Sequence, residues 1–197
     1  MLSKGVTSHV TSVVDKGDNM RKRLKHSISG YSMPLFMKEI LSNGFCKSFL
    51  AMSITIDHDC YMFNYDTDRM SKIQINKLDI CSKLLLIETL IILNSSAESW
   101  YIKGNNYLLE PELIYSIDNS VYEDDVRILF YPDFKRMDYS NKLAIFIEKL
   151  KTGSNSREGE ILDKLKSYAE LGDYTRVIRI LDKQLLRLTA EIEDKAM

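Results

Sequence analysis

The chain has 197 residues, 45% hydrophobic and 28% charged, ordinary values for a globular protein long enough to bury a sizeable core. Its 27 basic and 28 acidic side chains nearly balance, whereas a polyanion binder needs a net positive surface to release counterions, so no nucleic-acid partner is expected. Three cysteines, Cys46, Cys60 and Cys81, stand at wide spacings in apolar or strand-like contexts and read as reduced packing thiols of a cytoplasmic protein.

Residues 1–30 contain no apolar core of a secretory signal, because Lys4, Asp15, Lys16 and Asp18 interrupt them. Alternation in Val6, Ser8, Val10, Ser12 and Val14 fits a half-exposed strand at a sheet edge, with a frayed arm as the other reading. The basic run Arg21, Lys22, Arg23 and Lys25 that follows reads as solvated charge; contact with an acidic membrane surface is its functional alternative. Residues 34–41 place apolar side chains one helical turn apart and stop at Gly44, which predicts a short helix. Aromatic and β-branched residues over 45–56 and 60–65 flank Asp57-His58-Asp59 and predict a hairpin, to which residues 71–75 add a strand.

From Asn76 the period becomes helical and apolar nearly all round through Leu93, the mark of a central buried helix. Its longest apolar run, Leu84 to Leu93, is interrupted by Glu88 and Thr89 and falls short of the ~20 residues a membrane span needs. A second hairpin is predicted from 113–117 and 126–131 across an acidic turn. The rest is helical: Leu143, Ile147 and Leu150 form one stripe, Ile161, Leu165 and Ala169 another, and Val177, Leu181, Leu185 and Leu188 a third after a stop at Gly172. The fold class is therefore α+β, a small antiparallel sheet followed by a mostly helical lobe with a β-hairpin. Four segments are expected: an arm or edge strand over 1–30, a β lobe over 31–75, a buried helix with hairpin and helix over 76–151, and a helical segment over 157–197.

No glycine-rich phosphate loop is present, and the three histidines, His9, His26 and His58, lack metal-ligand spacings, so neither a cofactor nor a metal is expected. Asp57, Asp59 and Asp66 lack the glycine and the terminal Glu of a calcium loop and read as turn residues. An enzyme using Asp57, His58 and Asp59 is the competing reading; a cleft converging on His58 would favour it, and an apolar seam between sheet and helices would not. Trp100, Tyr101, Tyr107, Tyr115, Phe130, Tyr131 and Phe134 are aromatic enough to line a partner's groove, with core packing as the default. Among these, Trp100, Tyr107, Tyr115, Tyr131 and Phe134 are the partner-binding candidates.

The sharpest motifs are Leu108-Leu109-Glu110-Pro111-Glu112-Leu113-Ile114 and Val126-Arg127-Ile128-Leu129-Phe130-Tyr131-Pro132. In their order along the chain they resemble an uncharacterised bacterial domain found N-terminal to forkhead-associated (FHA) domains. That domain is in turn distantly similar to the pseudokinase-like cytosolic domain of the type VII secretion protein EssB/YukC. Glu110 to Ile114 is similar to the kinase segment Lys-Pro-Glu-Asn-Ile, and Val126 to Pro132 to the strand ending in Asp-Phe-Gly. The resemblance implies that Leu108, Leu113 and Phe130 replace the catalytic base and both Mg²⁺ ligands, and residues 49–56 carry no lysine for the phosphates. Asp133-Phe134 is followed by Lys135 rather than Gly and comes three residues late, so it is not read as the metal motif. What the resemblance implies is a non-catalytic bacterial scaffold with a protein partner.

Overall fold

Alternating strand residues build the first sheet from both sides of a helix. The computed structural model describes residues 8–14, 22–67 and 69–196. Its first sheet is antiparallel, in the order β1-β2-β4-β3, with β1 at Ser8–Val14, β2 at Lys22–Ser29, β3 at Met52–Asp57 and β4 at Cys60–Asp66. β1 is the expected edge strand, in unbroken register with β2 from Ser8↔Ile28 to Val14↔Lys22. The basic run lies in the sheet: Lys22, Arg23 and Lys25 belong to β2 and pair with β1, and Arg23 and Lys25 pair with β4 as well. His26 and Ile28 of β2 are buried, and charges at the alternate positions hide this period of two in the sequence. Val6, Arg21 and the turn at 15–19 lie outside the described residues.

β3 and β4 form the predicted hairpin, turning at His58 and Asp59. The segment before β3 does not lengthen that strand. After α1 (Leu35–Ser42) ends at Gly44, whose φ of 64° suits a residue without Cβ, the chain crosses to the second sheet. There the Leu50 amide donates to the Ile128 carbonyl at 3.0 Å and the Ile128 amide to the Ser48 carbonyl at 2.9 Å. This second sheet has the order β5-β6-β7, with β5 at Ser71–Lys72, β6 at Ile114–Ser116 and β7 at Val126–Ile128. The strand expected at 71–75 thus joins β6 rather than the first sheet, in the register Ser71↔Ser116 and Lys72↔Tyr115.

α2 (Ile80–Ser99) is capped by the Asp79 carboxylate, which accepts the Ser82 amide at 2.7 Å. By length and composition its 20 residues would reach across a membrane, yet half of that stretch is buried inside the fold. Leu84, Leu86, Ile87, Leu90 and Leu93 are at most 3% exposed, as an all-round apolar pattern requires of a central helix. α3 (Tyr139–Leu150), α4 (Ser156–Glu170) and α5 (Tyr174–Ala196) complete the helical part. A capping box between Asn155 and Glu158 starts α4, and Gly172, at φ 69°, turns the chain into α5.

Candidate functional site

Phe63 and Tyr65 of β4 point from the first sheet toward the second, and Phe49, Tyr107 and Phe130 meet them. All five are at most 4% exposed. Ring centroids lie 5.0 Å apart for Phe49–Tyr107, 5.4 Å for Phe49–Phe130 and 6.3 Å for Phe63–Phe130, distances at which aromatic rings attract. The Tyr65 hydroxyl donates to the Phe130 carbonyl at 2.6 Å, and burial pushes that hydroxyl's pKa well up. The seam between the first sheet and the helical part is therefore packed with rings.

Beside this seam lies a buried ion pair. The Lys142 ammonium is 2.8 Å from Asp133 Oδ2, with 4% and 3% of the two side chains exposed. Lys142 Nζ also donates to the Gly104 carbonyl at 2.8 Å and to the Tyr107 carbonyl at 2.5 Å, so its three protons are used. Asp133 accepts the Lys135 amide on Oδ1 at 2.8 Å and the Met137 amide on Oδ2 at 2.9 Å. Burial pushes the Asp133 carboxyl up, but Lys142 and the two amides outweigh it and hold the group below its ordinary value. Burial lowers Lys142, and Asp133 offsets only part of that. Lys142 thus neutralises the Asp133 charge, and the lysine and two backbone amides occupy three of the carboxylate's roughly four acceptor positions. The same contacts tie the 133–137 turn to the 104–107 loop, and α3 holds both.

Two cavities open on either side of this pair. One, of about 360 Å³, is lined mainly by apolar residues such as Leu108, Leu109, Pro132, Phe134, Met137 and Ile145, with Glu110, Asp133, Lys135 and Lys142 as its polar members. The other, of about 240 Å³, lies between α1, the loop after α2 and the 133–136 turn. Among the described residues no three His, Cys, Asp or Glu side chains gather where they could hold a metal ion.

The residues singled out in the sequence occupy three kinds of place. Leu108, Leu113 and Phe130 lie on two adjoining segments, joined where the Leu108 amide donates to the Tyr131 carbonyl at 2.8 Å and the Leu129 amide to the Leu113 carbonyl at 2.7 Å. Phe130 is buried in the seam, while Leu108 and Leu113 are half-buried. The five partner-binding candidates do not form one groove: Tyr107 and Tyr115 are buried, Tyr131 is half-buried against His26, and only Trp100 and Phe134 are exposed. Core packing claims both buried rings, Tyr107 against Phe49, Phe130 and Asn94 of α2, and Tyr115 within β6. Asp57, His58 and Asp59 stand at the tip of the β3–β4 hairpin, with the His58 side chain 95% exposed and no walls to exclude water. The apolar seam, not a cleft at His58, is what the fold contains. Sequence reading missed Lys142, although it sits on the apolar stripe of Tyr139, Leu143, Phe146 and Leu150, where a lysine must find a buried partner.

A small antiparallel sheet, a central helix, a short second sheet and a helical lobe define an α+β protein of kinase-like fold. No family model matches the sequence, and no curated protein matches it. Among solved structures the chain is similar to the EssB cytoplasmic fragment of Geobacillus thermodenitrificans, with a TM-score of 0.51 and 11% identity over 94% of this chain and 93% of that one. It is also similar to a divergent kinase lacking the glycine-rich loop, which regulates membrane ultrastructure of the Toxoplasma parasitophorous vacuole. There the TM-score is 0.50 and the identity 11%, over 85% of this chain and 71% of that one. At such identities the likeness is one of fold.

Proposed function

We propose that this chain is a non-catalytic, pseudokinase-like module that works as a protein-binding or assembly platform on the cytosolic side of a bacterial cell. The observation that carries the proposal is the packed seam: a nucleotide needs a cleft and phosphate donors, and Phe49, Phe63, Tyr65, Tyr107 and Phe130 fill the space between sheet and helices. The Asp133–Lys142 pair supports it, since the carboxylate is already committed to an internal lysine and two backbone amides rather than left for general-base or Mg²⁺ chemistry. The likeness to the EssB fragment extends the proposal to a place beside a type VII secretion apparatus. A link to FHA-type signalling rests on the sequence resemblance alone.

The test is thermal unfolding of the purified chain with and without Mg²⁺-ATP. A ligand present at about 100 times its Kd adds roughly 2.7 kcal/mol to stability, a shift readily measured. The expected result is no shift; a clear one means that the seam opens to admit nucleotide, and the proposal fails.

A further inference from the structure

The cavity between α1, the loop after α2 and the 133–136 turn differs from the apolar one beside it. Its walls carry the hydroxyls of Tyr31 and Ser32, the amides of Asn105 and Asn106, and two cations, Lys103 and Arg136. Neither cation forms an ion pair among the described residues. The acid that does reach this cavity is Asp133, whose charge Lys142 already neutralises. The cleft thus offers positive charge and hydrogen-bond donors with no internal anion to satisfy them. Its apolar wall is Phe36 at 46% and Tyr101 at 78% exposure, large aromatic surfaces left to water.

Backbone conformation adds a separate argument. α2 ends in a Schellman turn, in which the Tyr101 amide donates to the Glu98 carbonyl at 2.9 Å and the Ile102 amide to the Ala97 carbonyl at 3.0 Å. The residue at the left-handed position of such a turn is usually Gly, yet here it is Tyr101, at φ 60°. On the opposite rim Arg136 is left-handed too, at φ 49°, held there by the turn that winds about the Asp133 carboxylate. Strain of this kind at non-glycine residues clusters at ligand clamps. Both strained side chains border the same cleft, and the buried ion pair fixes the loops that carry them.

We propose that this cleft docks an acidic peptide segment of a protein partner, with a carboxylate received between Lys103 and Arg136 and an adjacent apolar side chain laid against Phe36 and Tyr101. This deepens the platform reading and rests on it. Polarity follows from the neighbouring cavity, which shares Tyr101, Lys103 and Asn105 but carries Glu98 and Asp138. An anion is accepted on the Arg136 side of Tyr101 and repelled on the other, which fixes where the carboxylate sits.

The experiment is fluorescence anisotropy with a labelled peptide of alternating Glu and Leu, its Gln-and-Leu counterpart, and inorganic phosphate as competitor. The Glu peptide is expected to bind at least tenfold tighter than the Gln peptide, with affinity falling as salt rises and phosphate failing to compete. The double variant Lys103→Glu with Arg136→Glu loses at least tenfold in affinity. Tyr101→Gly does the same while melting no earlier than the parent chain, because glycine suits the left-handed turn. Equal binding of both peptides, or unchanged binding in the double variant, overturns the proposal. Displacement of the peptide by phosphate assigns the cleft to a free anion, and sedimentation of the parent chain but not the double variant with phosphatidylserine vesicles assigns it to a membrane; either result also overturns it. Failure here with no Mg²⁺-ATP shift leaves the platform reading standing without this cleft, whereas an Mg²⁺-ATP shift removes the reading itself.

Discussion

Lys142 carries its charge where 4% of its side chain meets solvent, opposite an Asp133 that is 3% exposed, and each depends on the other for its burial. Removing one partner leaves an uncompensated charge in the interior, a change worth about 3–5 kcal/mol. Lys142→Met keeps the aliphatic length but strands the Asp133 carboxylate and two backbone carbonyls, so chemical denaturation is expected to show a loss of that order. A loss below about 1 kcal/mol would mean that water enters to solvate Asp133. His26 poses the opposite case. It is 3% exposed, its Nε2 has no hydrogen-bond partner, and burial holds its imidazole below the ordinary value of 6.5. The unfolded chain therefore binds the proton more tightly than the folded one. The stability tied to neutral His26 is complete above pH 6.5 and is lost as pH falls toward the depressed folded value. Its immediate surroundings are Tyr131, edge-on at 4.4 Å, with Val10 and Phe63 as its cross-strand partners, and none of these supplies a countercharge. His26→Phe is expected to be neutral or stabilising at pH 7 and to flatten the stability profile below pH 6.5, read from urea midpoints at each pH. An unchanged slope would place the acid sensitivity elsewhere.

At the scale of elements, the loop that follows α2 is fixed by close approach as much as by hydrogen bonds. A Cβ at Gly104 would lie 2.5 Å from the Tyr139 Cβ and 2.8 Å from Asn94 Oδ1, so α2 and α3 can meet here only if this residue has no side chain. Asn94 is engaged as well, accepting the Tyr107 hydroxyl at 2.9 Å and donating to Glu98 at 3.1 Å. Gly104→Ala is expected to lower stability by about 1–3 kcal/mol, the usual effect of overpacking. It should also loosen the Lys142 contact to the Gly104 carbonyl, which amide hydrogen exchange at 104–107 would report. Elements with a strong local signal were legible in the sequence: the β3–β4 hairpin from aromatic and β-branched residues on both sides of a polar turn, α2 from its all-round apolarity, and α3 to α5 from their stripes. β5 joined the wrong sheet in that reading because a two-residue strand has no period and its partner β6 lies more than 40 residues away. β2 was hidden by its charges. The Asp133–Lys142 pair escaped because its only trace was a lysine on an apolar stripe. The cleft was illegible because Phe36, Tyr101 and Arg136 come from three separate segments that only the fold assembles.

For the molecule as a whole, the aromatic seam decides whether sheet and helices behave as one unit. One core cluster runs from Ile28 and Phe63 in the first sheet through Phe130 and Leu90 to Leu143, Leu165 and Leu181 in the helical part. The Tyr65 hydroxyl reaches across it from the first sheet to the Phe130 carbonyl at 2.6 Å, and the Ser48 hydroxyl ties the segment beside β7 to α2 through the Leu93 carbonyl at 2.7 Å. Neither part can open without exposing the other's apolar face and orphaning buried polar atoms, so unfolding should be a single cooperative transition. Trp100, the one tryptophan, sits at the end of α2 and reports on the helical part through its fluorescence, while far-UV circular dichroism sees sheets and helices together. The two probes are expected to give coincident midpoints. Phe130→Ala, which empties the centre of the seam, is expected to lower both midpoints by the same amount, corresponding to about 3–5 kcal/mol. Midpoints that separate in the variant would mean that Phe130 is what couples the two parts; midpoints that differ already in the parent chain would mean that sheet and helical part fold independently, and the seam would then be a contact between two units rather than a core.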